Sequence, residues 1–314
     1  MCAYTYRREL KKPGQWMGID FGNAGIASGL QLMNRTLQQQ SKSFSPPSGV
    51  TIQRISVPLR DGQTMDCFVF QPEESMGMQP AMLYCHGGGF FLPIQPMMMQ
   101  LASQYASFLR IKVFLPEYRL LPNYPAPTPL HDCQDMWCYL EKNAGFLNID
   151  SDKMLLYGES AGGTLAAGIT LWARDHKGSE PVGQLLIYPA LDNRYSRYPS
   201  MRIYSQAAWP LKNHLTMWRE YLKKSPSEET YLIPMQAADF SGLPHSYIEP
   251  QQMDILHDEA IAYAQLLGEA GVDVTVHEIS GSYHGFDADT DNPFVQEVIR
   301  SRMDWMSDLL NNYQ

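Results

Sequence analysis

The stretch that most restricts how this chain can fold is Leu155-Leu156-Tyr157-Gly158-Glu159-Ser160-Ala161-Gly162-Gly163-Thr164-Leu165-Ala166-Ala167. A short apolar run meets Gly-x-Ser-x-Gly and then an alanine-rich run that favours helix. The spacing predicts a strand, a sharp turn and a helix, with Ser160 at the apex. A turn that tight lifts a serine oxygen clear of a sheet but crowds its neighbours, and Gly158 and Gly162 remove the side chains that would collide. The start of the following helix points free N–H groups at whatever is bonded to Ser160. The same five residues also suit an ordinary glycine-serine turn opening a helix, so their meaning rests on partners elsewhere in the chain.

Around this stretch the pattern alternates between strand and helix. Val50 to Leu59 and Thr64 to Phe70 alternate in polarity on either side of the hairpin signal Asp61-Gly62. Ala81–Cys85, Ile111–Leu115, Lys153–Tyr157, Val182–Tyr188, Leu243–Glu249 and Val272–Ile279 read as further strands. Helical spacing falls at 96–110, 128–143, 160–176, 255–271 and 293–310. Two hairpin strands followed by repeated β-α-β units predict an α/β fold: a mostly parallel, eight-stranded sheet with helices on both faces.

Two regions interrupt the alternation. Residues 1–48 carry helix-like spacing at Ile26, Leu30, Met33 and Leu37 and end in a linker at 41–49. The triplet Asp20-Phe21-Gly22 has no glycine-rich loop or lysine strand to make it a kinase motif. Residues 191–235 hold Tyr195, Tyr198, Tyr204, Trp209, Trp218, Tyr221 and Tyr231, with helical spacing over 212–224. An insertion at a strand's C-terminal end lies where open α/β sheets bind ligands. The expected organisation is an N-terminal cap segment and linker (1–48), the first part of the core (49–190), a cap insertion (191–235) and the second part of the core (236–314).

Ser160 needs a base, an acid to orient the base, and donors for an oxyanion. Downstream stand His176, His214, His245, His257 and His284. Only His284, in Ser282-Tyr283-His284-Gly285-Phe286, occupies a loop between the last strand and the last helix, at the same sheet edge as Ser160. The acid should follow the preceding core strand, which places Asp254 there, with Glu249 at the strand end as its competitor. Asp258 and Glu259 suit the first turn of a helix instead. His86-Gly87-Gly88-Gly89-Phe90 follows an apolar strand, and three glycines let backbone approach a substrate oxygen unobstructed. The N–H groups of Gly87, Gly88 and Ala161 are the expected oxyanion donors, with His86, Gly89, Gly158 and Gly162 shaping the two loops. Each donor of this kind supplies roughly 3 kcal/mol to the transition state.

Composition narrows the partners. The formal net charge of −9 disfavours nucleic acid and anionic membrane as partners. The five cysteines, Cys2, Cys67, Cys85, Cys133 and Cys138, are odd in number and follow no framework spacing, so reduced thiols in a cytoplasmic protein are expected. No apolar run marks a secretory leader or membrane span. No metal-ligand cluster is visible, and the chemistry needs no cofactor.

Taken in order, His86-Gly87-Gly88-Gly89, Tyr118-Arg119-Leu120-Leu121-Pro122 with Pro125-Ala126-Pro127 and Asp132, Gly158-Glu159-Ser160-Ala161-Gly162-Gly163, Asp254-x-Leu256-x-Asp258-Glu259 and His284-Gly285-Phe286 resemble the hormone-sensitive-lipase-like esterases, the type IV bacterial esterases of the α/β-hydrolase fold. The resemblance covers about residues 50–312. It implies a helical cap built from the N-terminal segment and the segment after the sixth strand, and a serine carboxylesterase whose nucleophile, acid and base fall on Ser160, Asp254 and His284. Glu159 stands where the family usually has Asp. Arg119 and Asp132 are expected to be structural. The expected substrates are small esters with short, acetyl-like acyl groups, with activity falling below roughly pH 6 as the histidine base is protonated. Hydrolysis of amide or peptide bonds by the same triad is the alternative within the class. A non-catalytic small-ligand receptor is the alternative outside it, disfavoured because Ser160, Asp254 and His284 are all present. A homodimer is left open, with Val272 to Leu310 as the region for its interface.

Overall fold

Strand β1 (Val50–Pro58) and β2 (Thr64–Pro72) form the hairpin that Asp61-Gly62 signals, and Gly62 takes the left-handed φ of 82° that the turn requires. The strands that follow are β3 (Gln79–Cys85), β4 (Lys112–Pro116), β5 (Ile149–Glu159), β6 (Gly183–Ile187), β7 (His245–Glu249) and β8 (Val274–Val276). On β3, Ala81, Leu83 and Cys85 enter one apolar cluster while Met82 and Tyr84 enter the other. On β5, Met154 and Leu156 face one side while Leu155 and Tyr157 face the other. Strands apolar at every position need cover on both faces, which a parallel sheet obtains from its crossover helices.

This computed structural model describes residues 5–11, 21, 26–74, 77–225 and 231–312. Among them the strands form one sheet in the order β1-β2-β4-β3-β5-β6-β7-β8. The β1–β2 and β2–β4 pairs are antiparallel, and every pair from β4 to β8 is parallel. The helices are α1 (Ile26–Lys42), α2 (Pro96–Leu109), α3 (Thr128–Lys142), α4 (Ala144–Leu147), α5 (Ala161–His176), α6 (Pro199–Ile203), α7 (Leu211–Tyr221), α8 (His257–Glu269) and α9 (Pro293–Asn312). No helix among the described residues is long and apolar enough to cross a membrane. Cys2, Asp20 and Gly22 lie outside the described residues.

Element boundaries depart from expectation at two strands. β5 extends from Ile149 to Glu159, longer than the apolar run alone indicates. β8 shrinks to Val274–Val276, although the chain stays beside β7 through His277 N–H to Ile248 O (2.9 Å) and Ile279 N–H to Pro250 O (3.0 Å). Pro250 has no N–H to return, so the regular ladder stops there.

The N-terminal region divides into two unlike parts. Helix α1 lies against the loop before α2, where Asn34 Nδ2 donates to Phe91 O (2.8 Å) and Ser41 Oγ to Ile94 O (2.7 Å). Residues 5–11 instead brace the loop after β8. Arg7 N–H donates to Gly281 O at 2.8 Å, Tyr283 OH to Lys11 O at 2.6 Å, and Asn292 Nδ2 to Glu9 O at 2.7 Å. Between β6 and β7 the chain leaves the sheet and forms α6 and α7, with Met217, Trp218 and Tyr221 buried.

Candidate active site

Parallel pairing puts the C-terminal ends of β3, β5, β6, β7 and β8 at one edge of the sheet. The turns leaving that edge carry the residues that the sequence singles out. Between β5 and α5, Ser160 adopts φ 54° and ψ −121°, a backbone state that costs a non-glycine residue on the order of 1–3 kcal/mol. The surroundings hold it there. Ser160 N–H donates to Ile187 O (2.9 Å), and Ser160 O accepts from Gly163 N–H (2.9 Å) and Ala190 N–H (3.0 Å). The glycines are a steric necessity: a Cβ on Gly158 would stand 2.3 Å from Gly162 O, and one on Gly162 would stand 2.0 Å from Cys85 O.

The loop after β8 brings His284 to Ser160, with Nε2 and Oγ 2.9 Å apart. The turn after β7 brings Asp254 to the other ring nitrogen, with Oδ2 2.7 Å from Nδ1. All three are buried. A carboxylate only accepts, so Nδ1 carries the proton and Nε2 is left to accept from the serine hydroxyl. Asp254 is not a helix cap: its Oδ1 accepts from Leu256 N–H at 3.2 Å, inside the same turn.

Glu249 is not brought to the imidazole. It pairs with the fully buried Arg302 (2.6 and 2.8 Å), which also holds Asp287 at 2.9 Å. Asp287 in turn accepts from Tyr188 OH at 2.7 Å, and the Tyr188 ring lies 4.7 Å from that of His284. This buried ion cluster supports the histidine loop from behind, and nothing in the local sequence pattern announced it. Asp258 and Glu259 open α8, where they accept from the backbone N–H groups of Ser200 (2.8 Å) and Leu191 (2.7 Å). His176, His245 and His257 sit at the end of α5, in β7 and at the start of α8, while His214 is buried in α7.

The glycine loop after β3 lies beside Ser160 and corrects one expectation. Gly87 N–H is already engaged, donating to Glu159 Oε1 at 3.3 Å, so it is not a free oxyanion donor. The sequence reading missed this because the competing acceptor, 72 residues away, arrives only through the β3–β5 pairing. Gly89, read from sequence as loop support, takes its place: among the described residues the N–H groups of Gly88, Gly89 and Ala161 have no acceptor. The His86 ring stacks on Tyr118 with centroids 4.2 Å apart, and its Nδ1 donates to Gly87 O at 2.8 Å. Burial pushes the His86 pKa down to about 4, so this ring is a neutral prop for the loop.

A cavity of about 60 Å³ adjoins Ser160, walled by Gly88, Gly89, Leu92, Met97, Met98 and Trp209. Trp209 comes from the segment between β6 and α7. Its ring lies 5.9 Å from that of His284, and its edge would sit 2.8 Å from a Cβ on Gly89. No cluster of three or more potential metal ligands occurs among the described residues.

Comparison with known proteins agrees with this architecture. Residues 82–288 match the alpha/beta hydrolase fold family. Lipase 2 of Moraxella sp. (strain TA144) is 29% identical over 300 residues, spanning 85% of this chain and 69% of its own length. Ethyl acetate hydrolase of Pseudomonas putida is 28% identical over 240 residues, 75% of each chain. Among solved structures, a bacterial heroin esterase shares 28% identity and a TM-score of 0.84 across 98% of both chains. The chain belongs to the alpha/beta hydrolase fold family, in its hormone-sensitive-lipase-like branch. Within it, the protein is a carboxylic ester hydrolase.

Proposed function

We propose that this protein is a serine carboxylesterase for short acyl, acetyl-like esters, and that Ser160, His284 and Asp254 form its catalytic triad. The observation that carries the reading is the hydrogen-bonded line Asp254–His284–Ser160 at 2.7 and 2.9 Å, facing three unused backbone donors. His284 Nε2 takes the hydroxyl proton as Ser160 Oγ attacks the ester carbonyl. The oxyanion is held by the amides of Gly88, Gly89 and Ala161. His284 then gives its proton to the departing alkoxide, which leaves as the alcohol. Water repeats the sequence on the acyl-enzyme and releases the acid. Asp254 keeps the proton on Nδ1 throughout and stabilises the imidazolium.

Short acyl groups suit the small cavity beside Ser160 and agree with the activity named for the Pseudomonas putida relative. The expected cap of residues 1–48 and 191–235 would be formed, within the described residues, by α1 and by the segment that carries α6 and α7. A cytoplasmic location is supported by Cys67, Cys85, Cys133 and Cys138, all free thiols. A homodimer would form across the β8 edge and α9, and a monomeric mass by light scattering would dismiss it.

The test of the reading is a p-nitrophenyl ester series, acetate to palmitate, on wild type and Ser160→Ala. Turnover should be highest on short chains and fall with length. The alanine variant should lose roughly 10⁴- to 10⁶-fold in kcat while melting normally. A folded wild type that hydrolyses no ester in the series would overturn it, and anilide substrates would then test the amide alternative.

A further inference from the structure

Glu159 immediately precedes Ser160, and only 1% of its surface is exposed. Tyr84 OH donates to its Oε2 at 2.8 Å, and Gly87 N–H donates to its Oε1 at 3.3 Å. Among the described residues no cation forms an ion pair with it, and the buried Arg302 pairs with Glu249 and Asp287 instead. A buried carboxylate without a paired cation costs stability, and such groups concentrate where a protein uses them.

The carboxylate lies under the glycine loop. Gly87 packs so closely on this residue that a Cβ would stand 3.1 Å from Glu159 O and 3.2 Å from its Cγ. Both peptide planes of Gly87 are therefore held. Glu159 takes the N–H, and His86 Nδ1 donates to the carbonyl oxygen at 2.8 Å. Gly87 C=O and Gly88 N–H share one peptide plane and point opposite ways. Fixing Gly87 thus aims the Gly88 amide, and through it the start of the loop that carries Gly89.

We propose that Glu159 is a positioning residue for the oxyanion donors, and that its ionised form grips the loop more tightly than its protonated form. This rests on the reading of Ser160 and the Gly88, Gly89 and Ala161 amides given above. An ionised acceptor makes the shorter and stronger hydrogen bond. The groups that act on this carboxyl are Tyr84 on β3, Gly87 in the glycine loop, Asp287 after the histidine loop and Arg302 on α9, and the carboxyl in turn raises the neighbouring phenols of Tyr118, Tyr157 and Tyr188. Burial, reinforced by the like charge of Asp287, pushes the carboxyl up to about 7, against the pull of Tyr84, Gly87 and Arg302. The loop is therefore held firmly above neutral pH and loosens as pH falls through 7.

The experiment is the pH profile of kcat for wild type, Glu159→Gln and Tyr84→Phe. Glu159→Gln should lose about tenfold in kcat at pH 8 with KM nearly unchanged, less than removing a donor outright, which costs roughly 10²–10³. Its profile should also lose the acid-side ionisation near pH 7 that Glu159 contributes. Tyr84→Phe deletes a donor that favours the ionised form, so the corresponding limb should move to higher pH. Stability supplies a second readout. A folded-state value raised above the unfolded one contributes stability below the unfolded carboxyl value, lost as pH rises through about 7. Glu159→Gln should consequently melt higher than wild type at pH 8, with the gain shrinking towards pH 5. A merely structural role predicts a lower Tm and an unchanged profile. A wild-type kcat and profile in Glu159→Gln, or an unmoved limb in Tyr84→Phe should the first variant not fold, would overturn the proposal. Either outcome leaves ester turnover by wild type intact, and so is distinct from failure of the esterase reading itself.

Discussion

The floor of the site and the cover above it are built by different physics. In the floor, backbone and hydrogen bonds set the positions of Ser160 and His284. Ser160 is pinned by three main-chain bonds of 2.9–3.0 Å, and His284 by bonds of 2.7 and 2.9 Å. In the cover, aromatic rings carry much of the contact. Phe21 stacks on Phe91 at 4.8 Å, Tyr221 on Phe90 at 4.2 Å, and Trp209 lies between Phe21 and His284 at 5.9 Å from each. Hydrogen bonds and close-packed glycines allow one geometry, while ring contacts tolerate several. The floor should therefore break abruptly when altered, and the cover should change its selectivity gradually.

The abrupt case is Gly162→Ala. An added Cβ would meet Cys85 O at 2.0 Å and His86 O at 2.6 Å, both backbone atoms on the neighbouring strand and loop. We expect loss of more than about 4 kcal/mol in urea unfolding, in the range reserved for severe defects, or no soluble protein at all. A Gly162→Ala variant with native stability would show that the turn is far softer than its contacts indicate, and the contrast with the cover would collapse.

The same contrast explains what the sequence made legible. Ser160, Asp254 and His284 each follow a strand whose pattern is local, so chain order alone placed them at one edge. The glycine spacing around Ser160 reported a steric need met within the same few residues. Gly87 was misread because Glu159 reaches it across the sheet, a contact that no local pattern encodes. Likewise Tyr283 finds Lys11 272 residues away, and residues 5–11 leave no periodicity to read. The rings between β6 and β7 were visible as composition, yet which ring touches His284 depends on how that segment packs. β8 ended early because of Pro250 on its neighbour, again a signal outside its own run.

A middle case is Arg119, at the boundary of floor and periphery. Its guanidinium binds the fully buried Asp132 and reaches Asp61 at 2.6 Å. Breaking a fully buried ion pair costs about 3–5 kcal/mol, and partial exposure of Arg119 reduces this, so Arg119→Ala should lose about 2 kcal/mol. The backbone N–H of Arg119 still donates to Asp132 at 2.9 Å, which limits the damage. Activity per folded molecule should stay within about threefold, because Arg119 contacts none of Ser160, Asp254 or His284. A normal Tm with abolished turnover would make Arg119 part of the site rather than its support.

The smallest effect, and the one that sharpens the comparison most, is Trp209→Ala. This ring closes the cavity beside Ser160, resting over Gly89 and facing His284, yet no hydrogen bond among Asp254, His284 and Ser160 passes through it. Removing it should leave the Asp254–His284–Ser160 line intact and enlarge the cavity beside Ser160. The ratio of kcat/KM for the octanoate to that for the acetate should rise about tenfold, equivalent to about 1.4 kcal/mol of differential binding. Turnover of the acetate itself should change little, since its acyl group never needed the added room. The loss of ring contacts with Phe21 should lower Tm by only a few degrees, because Phe21 keeps its stacking on Phe91. An unchanged chain-length profile would mean that Leu92, Met97 and Met98, on the core side of the cavity, set the limit. Selectivity would then belong to the floor, and the cover would serve only to exclude water.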